Sequence, residues 1–343
     1  MSSAPERSLP KAVVFGCASA SLGADEAALF GEIDPLGFIL FARNIENPDQ
    51  VRRLTDALRE SVGRADAPVL IDQEGGRVRR LRPPHWRDYP PMRLLGDAAR
   101  QTPAAAVECA ELIAGLMADD LSALGIDVDC APVLDLPAPD GHEIIGDRAL
   151  SDDPAIVARL GRALCEGFLR GGVMPVIKHI PGHGRATADS HVELPRVAAS
   201  RDILAQTDFA PFRLLNDAPA AMTAHVVYEA LDPSAPASAS RAVIDTVIRG
   251  EIGFDGFLIS DDVCMKALQG PLSERVLSVL GAGCDIALHC DGNFDDMVSI
   301  GRDCPALRPD SADRWRRAKA RCGDSVLFDR QAAEARISAV LNI

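Results

Sequence analysis

Aromatic side chains are scarce in this chain. Phe, Tyr and Trp make up 4% of its 343 residues, whereas hydrophobic residues make up 47%. A core of that composition is built mainly from Ala, Val, Leu and Ile, and there are enough of them for a large globular interior. Positive charge is also in deficit. A net charge of −14 argues against a nucleic-acid or anionic-membrane surface, both of which need clustered Lys and Arg. The acidity serves solubility and does not identify a substrate. Nine cysteines run from Cys17 to Cys322 without one C-x-x-C pair, a pattern of reduced, mostly buried thiols in a cytosolic protein and not of a disulfide frame. No segment supplies the ~18 uninterrupted apolar residues of a membrane span. The N-terminus, MSSAPERSLPKAVVFGCASA, lacks the order of a secretory signal. The expectation is a cytoplasmic protein, monomeric, with neither nucleic acid nor membrane as a partner.

What the chain does have is a rhythm. Short apolar runs recur at 12–16, 36–41, 68–72, 126–133, 173–179, 220–226, 256–260 and 284–289. Helical patterns lie between them, such as NPDQVRRLTDALRESVG and DPAIVARLGRALCEGFLRGG. Asn47-Pro48 and Asp153-Pro154 read as helix starts, and Gly125 and Gly171 as helix stops. Strands that alternate with helices indicate parallel βαβ units buried on both faces. Eight such units predict an α/β fold, a single (β/α)8 TIM-type barrel over about residues 10–300. Two C-terminal helices over about 310–343 would pack outside it, so that residues 1–343 form one domain. Length is no objection, since such barrels often exceed ~200 residues as one domain. The rival, a doubly wound open sheet, would usually show a Gly-rich nucleotide turn after the first strand, and GCASASLGA is a poor one.

Barrel enzymes carry their catalytic groups at the C-terminal ends of strands. Here those ends hold Asp72-Gln73-Glu74 after the third strand and Lys178-His179 after the fifth. His225 follows the sixth, and Ser260-Asp261-Asp262 the seventh. A fold of this type brings them to one rim. The segment KHIPGHGRATADSH (178–191) concentrates three of the chain's seven histidines. Metal ligation by His179 and His183, at i, i+4 spacing, needs a helix that Pro181 and Gly182 oppose, so a site made with Asp261 is the minority reading. Glycoside cleavage needs a carboxylate facing the anomeric carbon and a proton donor for the leaving oxygen. Asp261 is placed for the first role, with Asp262 an equal candidate in isolation. His191 suits the second, with Asp189 two residues earlier on the same side of an extended segment. Such a pair calls for no cofactor and no metal.

These motifs resemble the family 3 glycoside hydrolases, specifically the bacterial β-N-acetylglucosaminidases of peptidoglycan recycling. The resemblance runs over roughly the first 290 residues, through IDQEGGRVRRL (71–81), IIGDRALSDDP (144–154), KHIPGHGRATADSH (178–191), MTAHVVY (222–228), ISDDVCM (259–265) and AGCDIALHC (282–290). It implies a retaining exo-acting enzyme releasing terminal N-acetylglucosamine from muropeptide fragments of the GlcNAc–anhydro-N-acetylmuramyl kind. Asp261 would be the nucleophile, His191 the acid/base and Asp189 its support. Asp72, Arg80, Arg148, Lys178 and His179 would bind the sugar. Pro181, Gly182 and Gly184 would shape a loop that swings His191 over the substrate. Glu74, Gly75 and Gly76 are expected to shape a turn, and His183 and His225 to pack behind the site. The chain departs from the family pattern at Leu150, at Val263-Cys264 and at the strand end His289-Cys290-Asp291, which bears on aglycone preference more than on the reaction. The rivals are a phosphorylase, the metal-dependent hydrolase and a non-catalytic sugar-binding sensor.

Overall fold

Asn47 accepts the backbone N–H of Gln50 and is followed by Pro48, so helix Pro48–Ser61 starts at the signal in the sequence. Asp153 does the same for helix Pro154–Arg170 by accepting from Ala155 and Ile156. Gly125, at φ +74°, turns the chain after helix Pro103–Ser122, and Gly171 closes Pro154–Arg170. Between these helices run eight parallel strands: β1 Lys11–Gly16, β2 Pro35–Leu40, β3 Val69–Ile71, β4 Val128–Asp129, β5 Met174–Ile180, β6 Ala220–Thr223, β7 Phe257–Asp262 and β8 Ile286–His289. They close in the order β1-β8-β7-β6-β5-β4-β3-β2, with β1 pairing both β2 and β8. This computed structural model describes residues 8–138, 141–186, 194–323 and 329–343.

Each expected strand is present, and the differences lie at the ends. The run 126–133 forms ladder only at Val128–Asp129, with an isolated bridge from Val133 to Lys178 beyond it, and Pro132 between them brings no N–H. The chain nevertheless stays beside β5, where Ala131 and Pro132 accept the N–H groups of Val176 and Lys178. The sequence also holds a short parallel pair, Arg196–Val197 with Val227–Tyr228, that periodicity did not suggest. Two-residue strands leave no readable period.

The core is aliphatic, as the composition requires, with a few rings near β1 and β2, where Phe15 stacks on Phe30 and Phe38 meets Phe30 at a tilt. The C-terminal helices Pro309–Lys319 and Arg330–Leu341 pack outside the barrel as expected. Trp315 sets its ring edge on Phe257 at 5.2 Å, and Ala333, Ile337 and Leu341 are buried. Among the described residues no helix is long and apolar enough to cross a membrane.

Candidate active site

The segment after β3 turns back on itself so that Arg80 returns to Asp72. Gly75 and Gly76 have φ of +89° and +56°, and a side chain on Gly75 would strike the Pro90 carbonyl. Gln73, buried, accepts the N–H groups of Arg80 and Leu81 at 2.9 and 3.0 Å and pins the returning strand. Arg80 then reaches Asp72 Oδ2 at 3.1 Å while its guanidinium lies over the Phe41 ring. From β5, Lys178 Nζ sits 2.8 Å from Asp72 Oδ1 and 2.6 Å from Glu74 Oε1. Arg148 meets Glu74 through two parallel bonds of 2.8 Å. Two carboxylates and three cations thus form one interlocked, largely buried array.

Electrostatics keep this array charged. Burial works to raise the Asp72 carboxyl, but the charges of Lys178 and Arg80 outweigh it and hold the group well below the usual carboxylate range. Glu74 shows the same balance, with burial opposed by Arg148 and Lys178, and rests at about 2. For Lys178, burial favours the neutral amine, yet Asp72 and Glu74 hold the ammonium firmly in place.

Lys178 and His179 are neighbours on β5, where regular pleating would point them to opposite faces. The ladder to β6 shifts register between Lys178 and Ile180, and both side chains reach the same cavity. The Lys178–His179 peptide is cis. Asp135, buried beyond β4, orders the far side of the cavity. Its Oδ2 lies 2.6 Å from His179 Nδ1, and its Oδ1 accepts the N–H of His183 at 2.6 Å and that of His179 at 3.2 Å. Burial opposes the Asp135 charge, but the two imidazoles and these hydrogen bonds bring its carboxyl to about 2. His183 is pushed the other way, down to about 4, by burial and by His179 beside it.

Asp261 and Asp262 leave the end of β7 in different states. Asp262 Oδ1 accepts the N–H groups of Cys264 and Cys290 and ties the β7 loop to the end of β8. Burial raises its carboxyl. Asp261 accepts one backbone N–H, from Asp262 at 2.8 Å. Burial also works against its charge, but His225, His179 and that hydrogen bond prevail and lower it. His225 itself is engaged at both nitrogens, by Ser238 and by the Asp262 carbonyl, in the packed role the sequence suggested.

Asp72, Arg80, Arg148, Lys178, His179 and Asp261 therefore all line one cavity of about 290 Å³ at the C-terminal mouth of the barrel. That is the small end of the ~300–1,000 Å³ range of ligand pockets. His191 and Asp189 lie outside the described residues. One expectation needs correction. Glu74 is more than a turn-shaping residue, because its carboxylate faces the cavity and clamps Arg148 and Lys178. Pro181, Gly182 and Gly184 belong to a packed segment: a side chain on Gly182 would meet Asp208, one on Gly184 the Leu136 carbonyl, and Tyr228 donates to the Gly182 carbonyl at 2.6 Å. As far as Ala186 these small residues allow close backbone approach, and the rest of the loop expected to carry His191 over the substrate lies outside the described residues. Asp135 was not anticipated at all. Its signal was a second acidic residue six positions after Asp129, past the strand's own end.

An array of fixed charges lining a small cavity at the C-terminal mouth of a parallel (β/α)8 barrel defines a barrel enzyme of small polar substrates. Residues 26–302 match the glycosyl hydrolase family 3 N terminal domain, and the chain belongs to that family. A protein of Alkalilimnicola ehrlichii named Beta-hexosaminidase is 40% identical over 283 residues, 81% of this chain and 80% of that one. A Beta-hexosaminidase of Pseudomonas aeruginosa is 41% identical over 270 residues, 77% of each chain. Among solved structures, NagZ from Neisseria gonorrhoeae in complex with N-trifluoroacetyl-D-glucosamine superposes with a TM-score of 0.87 at 32% identity, covering 98% of this chain and 99% of that one.

Proposed function

We propose that the chain is a retaining exo-β-N-acetylglucosaminidase, acting in the cytoplasm as a monomeric single-domain enzyme on muropeptide fragments ending in β-linked N-acetylglucosamine. The names of its relatives support the hexosaminidase activity, and the N-acylglucosamine carried by the Neisseria protein supports the sugar. The observation that carries the mechanism is the contrast at the end of β7: both carboxylates line the cavity, but Asp262 is spent on two backbone N–H groups and burial raises it, while Asp261 accepts one and has its charge favoured.

In this reading Asp72, Arg80, Lys178, His179 and Arg148 hold the hydroxyls of one sugar. Asp261 attacks the anomeric carbon and forms a covalent glycosyl-enzyme. His191, supported by Asp189, protonates the departing oxygen and later takes a proton from the incoming water. A histidine near its ordinary pKa of ~6.5 can do both near neutrality. The cavity's volume suits one ring and so an exo action.

The test is Asp261→Ala against a panel of aryl β-glycosides differing at the sugar 2-position. Turnover of the N-acetylglucosaminide should fall by several orders of magnitude. Near-wild-type activity in a clean preparation overturns the nucleophile, and a strong preference for glucosides overturns the sugar. Reaction in phosphate buffer should still release free sugar. Dominant sugar 1-phosphate would make the enzyme a phosphorylase.

A further inference from the structure

The β8 terminus His289-Cys290-Asp291 and Cys264 of the β7 loop, which set this chain apart in sequence, come together in space. Cys264, His289 and Asp291 present a sulfur, a ring nitrogen and a carboxylate oxygen that all lie within 4.8 Å of one another. Among the described residues no other trio of His, Cys, Asp or Glu does so, and that includes His179, His183 and Asp261. The second observation is the state of His289. It is fully buried, with the Phe15 ring edge-on at 5.6 Å, and neither ring nitrogen has a hydrogen-bond partner. Nε2 is 3.0 Å from Asp291 Oδ1, but the ring N–H is not directed at that oxygen. A buried imidazole with no aligned hydrogen bond at either nitrogen is costly and calls for an explanation.

We propose that Cys264, His289 and Asp291 form a binding site for a borderline-soft divalent cation of the zinc type. Zinc takes thiolate at ~2.3 Å and imidazole or carboxylate at ~2.0–2.2 Å, so ligand atoms around a tetrahedron are roughly 3.3–3.7 Å apart. The observed grouping, with its ligand atoms within 4.8 Å of one another, is wider than this by about 1.5 Å at most. The ligand set of sulfur, nitrogen and oxygen selects against magnesium and calcium, which take oxygen. Asp291 is half exposed, which opens an entry path and leaves a fourth position for water. The site joins the end of β8 to the loop that follows Asp261, and Asp262 already bridges these two segments through the N–H groups of Cys264 and Cys290. A bound ion would brace the nucleophile's strand end from behind the sugar cavity. The proposal does not rest on the sugar or on the mechanism assigned above.

The full-length protein, stripped by chelator and dialysed, is titrated with Co2+ and followed by absorbance. Zn2+ affinity is then measured by competition with a chromophoric chelator. A single equivalent of Co2+ should give a thiolate-to-cobalt charge-transfer band with tetrahedral visible bands. Cys264→Ser should abolish the charge-transfer band, and Asp291→Asn, at an exposed position, should weaken Zn2+ binding at least tenfold. Cys290→Ser and Asp261→Asn should leave band and affinity intact. No charge-transfer band, a band that survives Cys264→Ser, or binding lost in Asp261→Asn and kept in Asp291→Asn overturns the proposal. If Cys264→Ser does not fold, the Asp291→Asn affinity decides alone.

Discussion

Glu74 holds Arg148 by two parallel hydrogen bonds, Oε2 to Nε and Oε1 to Nη2, each 2.8 Å long. With Nη1 also donating to the Ile144 carbonyl, a long flexible side chain becomes a fixed donor facing the cavity. Glu74→Gln keeps the shape and removes the charge. It leaves three cations, Arg80, Arg148 and Lys178, with one carboxylate, Asp72, inside the array. Breaking a buried pair costs about 3–5 kcal/mol, and displacement of a positioning group by ~1 Å costs ~10²-fold in rate. The variant should melt lower and lose at least that factor in kcat/KM on an aryl N-acetylglucosaminide. A wild-type melting curve with wild-type kcat/KM would return Glu74 to the turn-forming role that the sequence suggested.

Asp261 and Asp262 are adjacent, yet their substitution should separate activity from stability. Asp262→Ala strands two N–H groups, those of Cys264 and Cys290, at ~1–3 kcal/mol for each that stays unsatisfied. Thermal unfolding should shift down, while residual kcat/KM stays within roughly two orders of magnitude of wild type, far above Asp261→Ala. If Asp262→Ala were the less active of the two at a temperature where both are folded, the nucleophile would have to be reassigned.

The barrel was legible because each strand is a buried apolar run between turn signals, and that pattern survives in one sequence. The Asp72, Lys178 and Asp261 positions were legible because the fold rule places functional groups at strand ends. Glu74 and Asp135 were not. A carboxylate three residues past a strand reads as a turn former, and what makes Glu74 more than that is Arg148, 74 positions away. Asp135 is recognised only through His179 and His183, more than 40 positions on. Partner identity at such separations is set by tertiary folding and leaves no local period. The glycines of 182–184 carried only part of their meaning in the sequence for a related reason. Glycine permits many backbone uses, and the close approach to Asp208 and Leu136 shows only in the fold.

Asp135 is a positioning residue, and its charge is what fixes the His179 ring. In Asp135→Asn the amide oxygen can still take the backbone N–H groups of His179 and His183, but the charge-assisted bond to Nδ1, 2.6 Å in the parent, becomes neutral or repulsive depending on tautomer. A hydrogen bond to a charged group contributes ~1.5–3 kcal/mol, which predicts a fall of about 10–100-fold in kcat/KM. The loss should appear mainly in KM if His179 binds the sugar equally in ground and transition states. Wild-type kinetics in Asp135→Asn would mean the His179 ring is held by packing alone.

His183 gives the stability a pH dependence whose sign can be worked out. Burial and the neighbouring His179 hold it at about 4 in the folded protein, against ~6.5 in the unfolded chain. Between these values the unfolded state binds the proton and the folded state does not, so acid favours unfolding. The stability linked to this neutral imidazole is fully present above pH ~6.5 and is lost as pH falls towards 4. The size, 2.5 units at 1.36 kcal/mol each, is about 3 kcal/mol. His225, also lowered by burial, acts in the same direction, so the wild type alone cannot isolate one group. The comparison with His183→Gln can: urea unfolding at pH 7, 5.5 and 4.5 should show the wild type losing about 2 kcal/mol more than the variant across that span, most of the full effect. Parallel curves for the two proteins would mean that His183 gains its proton without unfolding, and that the cavity wall tolerates an imidazolium beside Asp135 and Asp261.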